Sequence, residues 1–375
     1  MSNYRSRLAT SRRWVIKVGS SLLATESRKL NTNYIQILAH DIAKLQNLGY
    51  QIVLVSSGSV AAGMQRLNWH QRPSALHHLQ AAAAVGQMEL IQVYESNFQN
   101  YGQHSAQILL TYDDLINRNR YLNARSTLRT LLQLKIVPII NENDTIATEE
   151  IRFGDNDTLS ALVANLVEAE VLVILTDQAG LFTADPRENV HAELISETAA
   201  SNPDLDVMAS TRTGIFGRGG MFTKLRAARQ AERSGTITVI AAGKEKDIIP
   251  RITSGEKIGT LLWPNIEILT ARKQWLAGQL QTKGKIQLDA GAINVLCSSG
   301  KSLLPIGVTA CNGHFTRGDL VSCVDIQNKE IARGLINYSA EETKRILGYP
   351  SSHIEQILGY INEKELIHRD NLVLL

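Results

Sequence analysis

Cysteine is scarce in this sequence: the 375 residues include three, Cys297, Cys311 and Cys323. Their wide spacing fits neither a CxxC metal site nor a disulfide framework, so we expect a reducing compartment and a cytoplasmic protein. Long apolar runs are also lacking. The first run, Trp14-Val15-Ile16, is cut by Lys17 and is too short for a signal peptide, and no later run could span a membrane.

A general basic field is missing as well. The net charge is +3, but four arginines before residue 14 contribute +4 with no acid among them, so the rest of the chain carries about −1. This distribution excludes a global nucleic-acid-binding surface. We expect residues 1–13 to form a solvated, frayed N-terminal tail, with a transit peptide or a site for an anionic partner as the alternatives.

Two glycine motifs that bind phosphate groups are absent. Neither G-x-x-x-x-G-K-[ST] nor G-x-G-x-x-G occurs in the chain. Their absence argues against a P-loop ATPase and against a Rossmann dehydrogenase, because those folds hold their ligands on these loops.

The chain does contain a regular alternation of strand and helix patterns over its first 260 residues. Strands separated by helices require right-handed crossovers, so the sequence predicts an α/β three-layer sandwich with a mainly parallel sheet. A length of 375 residues exceeds what one core usually serves, which favours a second domain. The predicted strands are residues 14–18, 51–55, 106–110, 136–140, 171–175 and 236–241, and the longer predicted helices are 31–48, 76–98 and 122–134.

Two polar clusters stand out in the stretch 136–166. The apolar strand 136–140 leads into Asn141-Glu142-Asn143-Asp144, and Gly154-Asp155-Asn156-Asp157 precedes a helix with an apolar face. Asn and Asp are common in turns and at helix N-caps, which is one interpretation. The other is a ligand site, because open α/β sheets bind ligands at the carboxyl ends of their strands.

A glycine-rich segment, GIFGRGGMFTK at residues 214–224, is the second candidate site. Its four glycines leave backbone N–H groups accessible to anionic oxygens, and Thr223 and Lys224 then open a helix. A flexible surface loop is the alternative. Lys17 is the third candidate, since a lysine in an apolar strand is expected to extend its ammonium into a site, unless it reaches the surface. Lysines, glycines and Asp/Asn residues at strand ends suit phosphoryl transfer.

These motifs together resemble the bacterial glutamate 5-kinases of the amino acid kinase superfamily. The resemblance covers nearly the whole chain in order, and it implies the fold predicted above. It also implies transfer of the γ-phosphoryl group of ATP to the side-chain carboxylate of L-glutamate, giving glutamyl 5-phosphate in the first step of proline biosynthesis. The matching segments are KVGSS at 17–21, SSGSVAAG at 56–63, INEND at 140–144, GDND at 154–157 and GGMFTK at 219–224.

The resemblance also implies roles for single residues. Asp144 would pair with the substrate ammonium, and Ser57 and Asn156 would offer hydrogen bonds to its carboxylates. Lys17 and Lys224 would neutralise phosphate charge, with Asp157 orienting them. Magnesium would be bound with ATP, and no metal ligand from the protein is assigned. The implied ATP-binding residues are Lys17, Thr176, Asp177, Arg218, Gly219, Gly220, Met221, Phe222, Thr223 and Lys224; Arg218 departs from the small threonine usual in the family.

The pattern changes after Trp263-Pro264. We predict a kinase domain at 14–264, a linker at 265–282, a small β-rich PUA-like domain at 283–361 with a turn at Gly291, and a C-terminal tail at 362–375. PUA domains elsewhere often bind RNA, so an RNA-binding protein is an alternative. Residues 283–375 contain ten Lys/Arg and ten Asp/Glu, which makes RNA an unlikely partner.

The remaining expectations also rest on the resemblance. It implies feedback inhibition by proline. Our hypothesis is that proline overlaps the glutamate site, because it keeps the ammonium and α-carboxylate of glutamate, and that the loop 145–153 with its Glu150 discriminates between the two. It implies a homo-oligomer, either dimer or tetramer, and the glutamyl phosphate reductase as a possible partner. The closest alternative enzyme is another amino acid kinase, acting on N-acetylglutamate or aspartate.

Overall fold

A computed structural model describes residues 4–25, 29–147, 156–186, 188–210, 220–265 and 282–374. The chain divides into two compact units. The large unit comprises Met1–Ile116 and Asn123–Leu269, and the small unit comprises Thr270–Leu375 with Asn117–Leu122. Each unit contains its own sheet.

The large unit contains an eight-stranded sheet with the order β3-β4-β2-β1-β5-β7-β8-β6. Neighbouring strands are parallel except for the antiparallel pair β7 and β8, which confirms the predicted mainly parallel sheet. All six predicted strands are present, and β6 and β8 are additional. The strands are β1 Arg13–Val18, β2 Gln51–Ser56, β3 Ser105–Leu110, β4 Val137–Glu142, β5 Val171–Thr176, β6 Glu197–Ala199, β7 Ile237–Ala242 and β8 Thr260–Trp263.

Helices cover this sheet, so its central strands are buried along almost their whole length. Among the described helices, none is both long and apolar enough to cross a membrane. The described helices before residue 265 are α1 Tyr4–Thr10, α2 Ser20–Leu23, α3 Thr32–Asn47, α4 Ser59–Arg66, α5 Leu76–Gln99, α6 Tyr112–Ile116, α7 Arg118–Gln133, α8 Asn156–Val167, α9 Asp204–Ser210, α10 Met221–Glu232 and α11 Ile248–Thr253.

Side-chain alternation along β1 separates its core from its functional face. Ile16 and Val18 belong to the apolar core that also contains residues of α3 and α5. Successive side chains of a strand point to opposite faces, so Lys17 points the other way. It meets Asp157 at the start of α8, on the face where α8 packs against α10.

The strand β4 extends two residues further than predicted. Asn141 and Glu142, expected beyond the strand, belong to it and are both buried. Buried polar groups persist when they are hydrogen-bonded, and Asn141 is bonded through both of its side-chain polar atoms. The polar cluster therefore begins inside the sheet.

The N-terminal segment is not the solvated tail expected from its charge. Residues 4–10 form α1, in which Leu8 and Arg5 are buried. The Arg5 guanidinium donates hydrogen bonds to four backbone carbonyl oxygens, those of Ser196, Glu256, Ile258 and Gly259. A guanidinium with five donors can satisfy several carbonyls at once, so it stabilises the packing of α1. The expectation of a frayed segment is wrong for these residues.

Two glycines allow α4 and α5 to pack with their backbones in contact. A Cβ atom on Gly63 would lie 1.7 Å from Ala82 O, and one on Gly86 would lie 2.0 Å from Ser59 O. Both distances are far below any tolerated contact, so larger residues at these positions would force the helices apart. This close packing fixes α5 beside the turn at residues 57–59.

The small unit contains a second sheet, with the order β10-β9-β11-β12-β13. Gly291 lies in the first turn of α12 and not in a turn between strands, because Asp289 caps that helix through Ala292 N. Leu366, Ile367 and β13 belong to this core and sheet, so residues 366–374 are part of the unit and not a separate tail. The elements are β9 Gly284–Leu288, α12 Ala290–Ser299, β10 Val308–Gly313, β11 Leu320–Val324, β12 Glu330–Leu335, α13 Ala340–Ile346, α14 Ile354–Leu358 and β13 Leu372–Leu374.

Candidate active site

The central strands of the large sheet end at one edge. Val18 is in register with Ser56 of β2 and with Leu175 of β5. Polar residues follow each of these strand ends. The first turns of α8 and α10 also lie here, since Asp157 of α8 contacts both Lys17 of β1 and Lys224 of α10. This edge is where parallel sheets bind ligands.

A buried carboxylate joins two lysines at this edge. Asp157 Oδ1 lies 2.5 Å from Lys17 Nζ, and Asp157 Oδ2 lies 3.2 Å from Lys224 Nζ. The Thr223 hydroxyl lies 2.7 Å from the same Oδ2. Both lysines are 5% exposed. Lys17 therefore does not reach the surface, which was the alternative interpretation of this residue.

The environment of Asp157 keeps it ionised. Burial alone would raise its pKa, but the charges of Lys17 and Lys224 and the hydrogen bonds from Lys17 and Thr223 lower the pKa to about 2. An opposite charge within a few ångström favours the charged form of a carboxyl group. The group therefore carries one negative and two positive charges near neutral pH, which leaves an excess of positive charge for anionic oxygens.

The start of α10 positions Lys224. Gly220 is the N-cap residue of this helix, and the Thr223 hydroxyl lies 2.8 Å from its carbonyl oxygen. Met221 is buried, whereas Phe222 is half exposed. Arg218 and Gly219, like Gly154 and Asp155, lie outside the described residues.

Thr176 and Asp177 lie at the end of β5 on the same edge. Thr176 is buried, and its hydroxyl donates a 3.0 Å hydrogen bond to the exposed Asp177 carboxylate. The backbone N–H of Gly243, just after β7, donates to Thr176 O at 2.8 Å. The ends of β5 and β7 therefore form one continuous backbone surface.

The turn after β2 contacts both polar clusters of the sequence. It requires a glycine at Gly58, whose φ is +107°, in the left-handed region. On one side of this glycine, Ser59 Oγ donates a 2.9 Å hydrogen bond to Asp144 Oδ2. On the other side, Asn156 Nδ2 lies 3.0 Å from Ser57 Oγ. The predicted substrate residues Ser57, Asp144 and Asn156 are thus brought together.

Burial raises the pKa of Asp144, while the Ser59 hydrogen bond and the charge of Arg72 lower it; the net shift is upward. The carboxylate is consequently easier to protonate than an exposed aspartate. It is also better suited to bind a cation, because a partly desolvated charge interacts more strongly with an opposite one.

A series of hydrogen bonds between side-chain amides extends from Asn156 into the interior of the unit. Asn156 Nδ2 also lies 2.9 Å from Ser56 O and 3.0 Å from Asn141 Oδ1. Asn141 Nδ2 in turn donates to Gln87 Oε1 of α5 at 2.8 Å. Asn156, Asn141 and Gln87 are all buried.

The described residues do not form a cage for a divalent metal. In the described part of the chain, no group of three or more His, Cys, Asp or Glu side chains could hold an ion. Both Asp157 oxygens contact lysines. Magnesium often keeps several waters and is bound mainly by substrate phosphates, and this donor set fits that mode.

Three residues of the site were missed by the sequence analysis: Ser59, Gln87 and Asn141. The first and third lie inside recognised motifs, so their polar character was visible but their contacts were not. Nothing in the sequence indicated that Gln87 belongs to the site, because it lies on a long helix, 54 residues from Asn141.

The sequence was also compared with families and single proteins that are already known. Residues 12–242 match the amino acid kinase family, and residues 284–358 match the PUA domain. The chain is 69% identical to a glutamate 5-kinase of Nitrosococcus oceani and 59% identical to one of Thioalkalivibrio sulfidiphilus, each over 100% of both chains. It is 57% identical to a glutamate 5-kinase of Ectopseudomonas mendocina, over 99% of this chain and 100% of the relative.

Proposed function

Because this chain belongs to the glutamate 5-kinase family and carries an amino acid kinase domain followed by a PUA domain, we propose that it phosphorylates L-glutamate. The reaction transfers the γ-phosphoryl group of ATP to the side-chain carboxylate and gives L-glutamyl 5-phosphate. In the cell this is the first step of proline biosynthesis.

The observation that carries this proposal is the cluster of Lys17, Asp157 and Lys224 at the carboxyl edge of the sheet. Phosphoryl transfer needs charge neutralisation and alignment more than covalent help from the protein. Two buried lysines held by one ionised aspartate supply both, because their ammonium groups are fixed before ATP binds.

The glutamate carboxylate acts as the nucleophile. It is already ionised at pH 7, so no general base is required. Asp144 binds the substrate ammonium, and Ser57 and Asn156 bind the amino-acid end of the molecule. This arrangement leaves the side-chain carboxylate to face the transferred phosphoryl group.

The nucleotide lies over Thr176, Asp177 and the segment from Gly220 to Lys224. Arg218 and Gly219 belong to the same proposed segment. Magnesium would supply positive charge to the phosphates of ATP, and the described residues would leave its coordination mainly to substrate oxygens and water.

The remaining assignments of this proposal concern the cell and the assembly. The reaction takes place in the cytoplasm, in a homo-oligomer that is a dimer or a tetramer, with the reductase that consumes glutamyl phosphate as a possible partner. Proline inhibits it by overlapping the glutamate site; most of the loop 145–153, including Glu150, lies outside the described residues. The PUA domain has a structural or regulatory role and does not bind RNA.

We also propose the domain limits given by the sequence: a kinase domain at 14–264, a linker at 265–282 and a PUA domain that begins at 283. Most of the linker lies outside the described residues. The end of the PUA domain extends beyond 361, because residues 366–374 contribute to its core and its sheet.

A coupled assay of ADP release tests the proposal. L-glutamate, L-aspartate and N-acetyl-L-glutamate are each offered with ATP and magnesium, and the acyl phosphate product is trapped with hydroxylamine as its hydroxamate. We expect ADP release and hydroxamate formation with L-glutamate at a specificity constant at least about 100-fold above the others. A higher specificity constant for aspartate or N-acetylglutamate would show that glutamate is not the preferred substrate.

A further inference from the structure

The amide of Asn156 has one possible orientation. Its Nδ2 carries two hydrogens and lies 2.9 Å from Ser56 O, with Ser57 Oγ and Asn141 Oδ1 each at 3.0 Å. Ser56 O is a backbone carbonyl oxygen, which only accepts hydrogen bonds. The nitrogen end of the amide must therefore face it, because two oxygen acceptors cannot bond to each other.

A second backbone group fixes the orientation of Asn141. The backbone N–H of Glu142 donates to Asn141 Oδ1 at 2.9 Å, and an N–H group only donates. Asn141 Oδ1 thus faces Glu142 and Asn156, and its Nδ2 faces Gln87 Oε1 at 2.8 Å. Gln87 supplies the acceptor for the other end of this amide, and it is only 8% exposed.

This chain of amides determines what Asn156 can offer to a ligand. Its nitrogen is committed to acceptors of the protein, and no described residue donates a hydrogen bond to its Oδ1. Asn156 as a whole is 6% exposed. Ser57 Oγ accepts from Asn156, which leaves the Ser57 hydroxyl hydrogen as a donor.

We propose that Gln87 is a positioning residue for substrate binding: acting through Asn141, it holds Asn156 with Oδ1 directed to the substrate, where Oδ1 accepts a hydrogen bond from the α-ammonium group. The inference rests on the proposed function. Asp144 supplies the negative charge for the same ammonium, and Ser57 donates to a carboxylate. The sequence suggested that Asn156 donates a hydrogen bond to a substrate carboxylate. In this proposal it instead accepts one from the ammonium.

Loss of the Gln87 acceptor has a specific consequence. Asn141 Nδ2 would be left buried without a partner, so the Asn141 side chain would be held through one of its two polar atoms only. Asn156 Nδ2, which donates to Asn141 Oδ1, would lose a firmly placed acceptor. Asn156 Oδ1 would then be displaced from the ammonium, and its hydrogen bond to the substrate would weaken.

The variant Gln87→Met tests this, because methionine has similar length and no acceptor of comparable strength. We expect the KM for glutamate to rise roughly tenfold, the scale of one hydrogen bond to a charged group. We expect kcat and the KM for ATP to stay within about threefold, since the contact exists already in the ground state. Gln92→Met is the matched control, because Gln92 is an exposed glutamine on the same helix.

Two substrate analogues separate positioning from a general structural effect. Glutarate keeps both carboxylates and lacks the ammonium, whereas 4-aminobutyrate keeps the ammonium and lacks the α-carboxylate. Measured as inhibitors competing with glutamate, 4-aminobutyrate should lose affinity in Gln87→Met by about the same factor as glutamate. The inhibition constant of glutarate should remain unchanged.

Each outcome bears on one claim. An equal loss for glutarate, or no loss for glutamate, would overturn the positioning role while leaving the proposed function intact. A wild-type enzyme without glutamate-dependent ADP release would instead overturn the proposed function. Thermal unfolding of each variant shows that it is folded, and Gln87→Ala, which also removes the acceptor, replaces Gln87→Met if that variant fails to fold.

Discussion

The Ser59 hydroxyl donates a 2.9 Å hydrogen bond to Asp144 Oδ2. This contact links the start of α4 to the segment after β4, which contains one of the two polar clusters where the sequence first suggested a ligand site. It opposes the effect of burial, which raises the pKa of Asp144. The balance between the two determines how far the pH can fall before Asp144 loses its charge.

Replacement of Ser59 should therefore change the pH dependence of the reaction. In Ser59→Ala the carboxylate loses a hydrogen bond that favours its charged form, so its pKa rises further. Protonated Asp144 cannot pair with the ammonium, so kcat/KM for glutamate should begin to decline at a higher pH than in the wild type. A pH profile that coincides with that of the wild type would assign the acid limb to another group.

Removal of the Lys224 charge should affect turnover. We expect Lys224→Ala to lower kcat by roughly 10²-fold or more, the scale for one lost transition-state charge partner, with a much smaller change in the KM for glutamate. Arg226→Ala is the control, because Arg226 is exposed on the same helix. Turnover within about threefold of wild type would remove Lys224 from the proposed chemistry.

Removal of the Asp144 charge should have the opposite signature. Its contact with the substrate ammonium exists in the ground state, so Asp144→Ala should raise the KM for glutamate and leave kcat less affected. Steady-state kinetics with glutamate varied at saturating ATP measure both constants. Asp204→Ala, at an exposed position, serves as the control. A lower kcat at an unchanged KM contradicts the assignment.

Arg5 should contribute to stability and not to catalysis. Its guanidinium bonds four carbonyl oxygens, which lose their partner in Arg5→Ala. We expect the free energy of unfolding to fall by about 2–4 kcal/mol, measured by urea denaturation. Arg7→Ala should change it by less than about 0.5 kcal/mol, because Arg7 is exposed on the same helix. Equal effects of the two replacements would show that α1 is stabilised by its apolar contacts instead.

A chain that ends after Asn265 should still phosphorylate glutamate. All residues proposed for the chemistry, from Lys17 to Lys224, and the whole eight-stranded sheet precede that point. A unit of about 260 residues buries enough surface to fold by itself, roughly 70–75% of the unfolded chain. A soluble, folded truncation that lacks glutamate-dependent ADP release would assign the PUA domain to the catalytic machinery.

The sequence predicted the strands well because each carries its own signal. The apolar runs at Ile52 and Val171 are long enough for one strand and bounded by turn residues, and such local patterns do not depend on distant contacts. The two missed strands, β6 and β8, are short. Strands of three or four residues hold too few side chains to show a period, so pairing with their neighbours defines them.

The sequence likewise indicated the charged groups of the site by residue type and position. Lys17 in an apolar strand and Asp157 at a helix start were both recognisable, and the structure joins them at 2.5 Å. Their roles in catalysis remain predictions. Each of them is a charged residue in a segment whose other residues have the apolar pattern of a buried strand or helix.

The tertiary structure alone decided the environment of Arg5 and the part played by Gln87. Arg5 looked like one charge of a basic tail, but its four acceptors lie more than 190 residues away in the chain. Gln87 looked like an ordinary polar residue of a long helix, but its Oε1 accepts a hydrogen bond from Asn141, whose Oδ1 accepts one from Asn156. Local composition determined which segments form strands, helices and polar turns. The orientation of a buried amide depends on which distant backbone group faces it, and folding alone determines that.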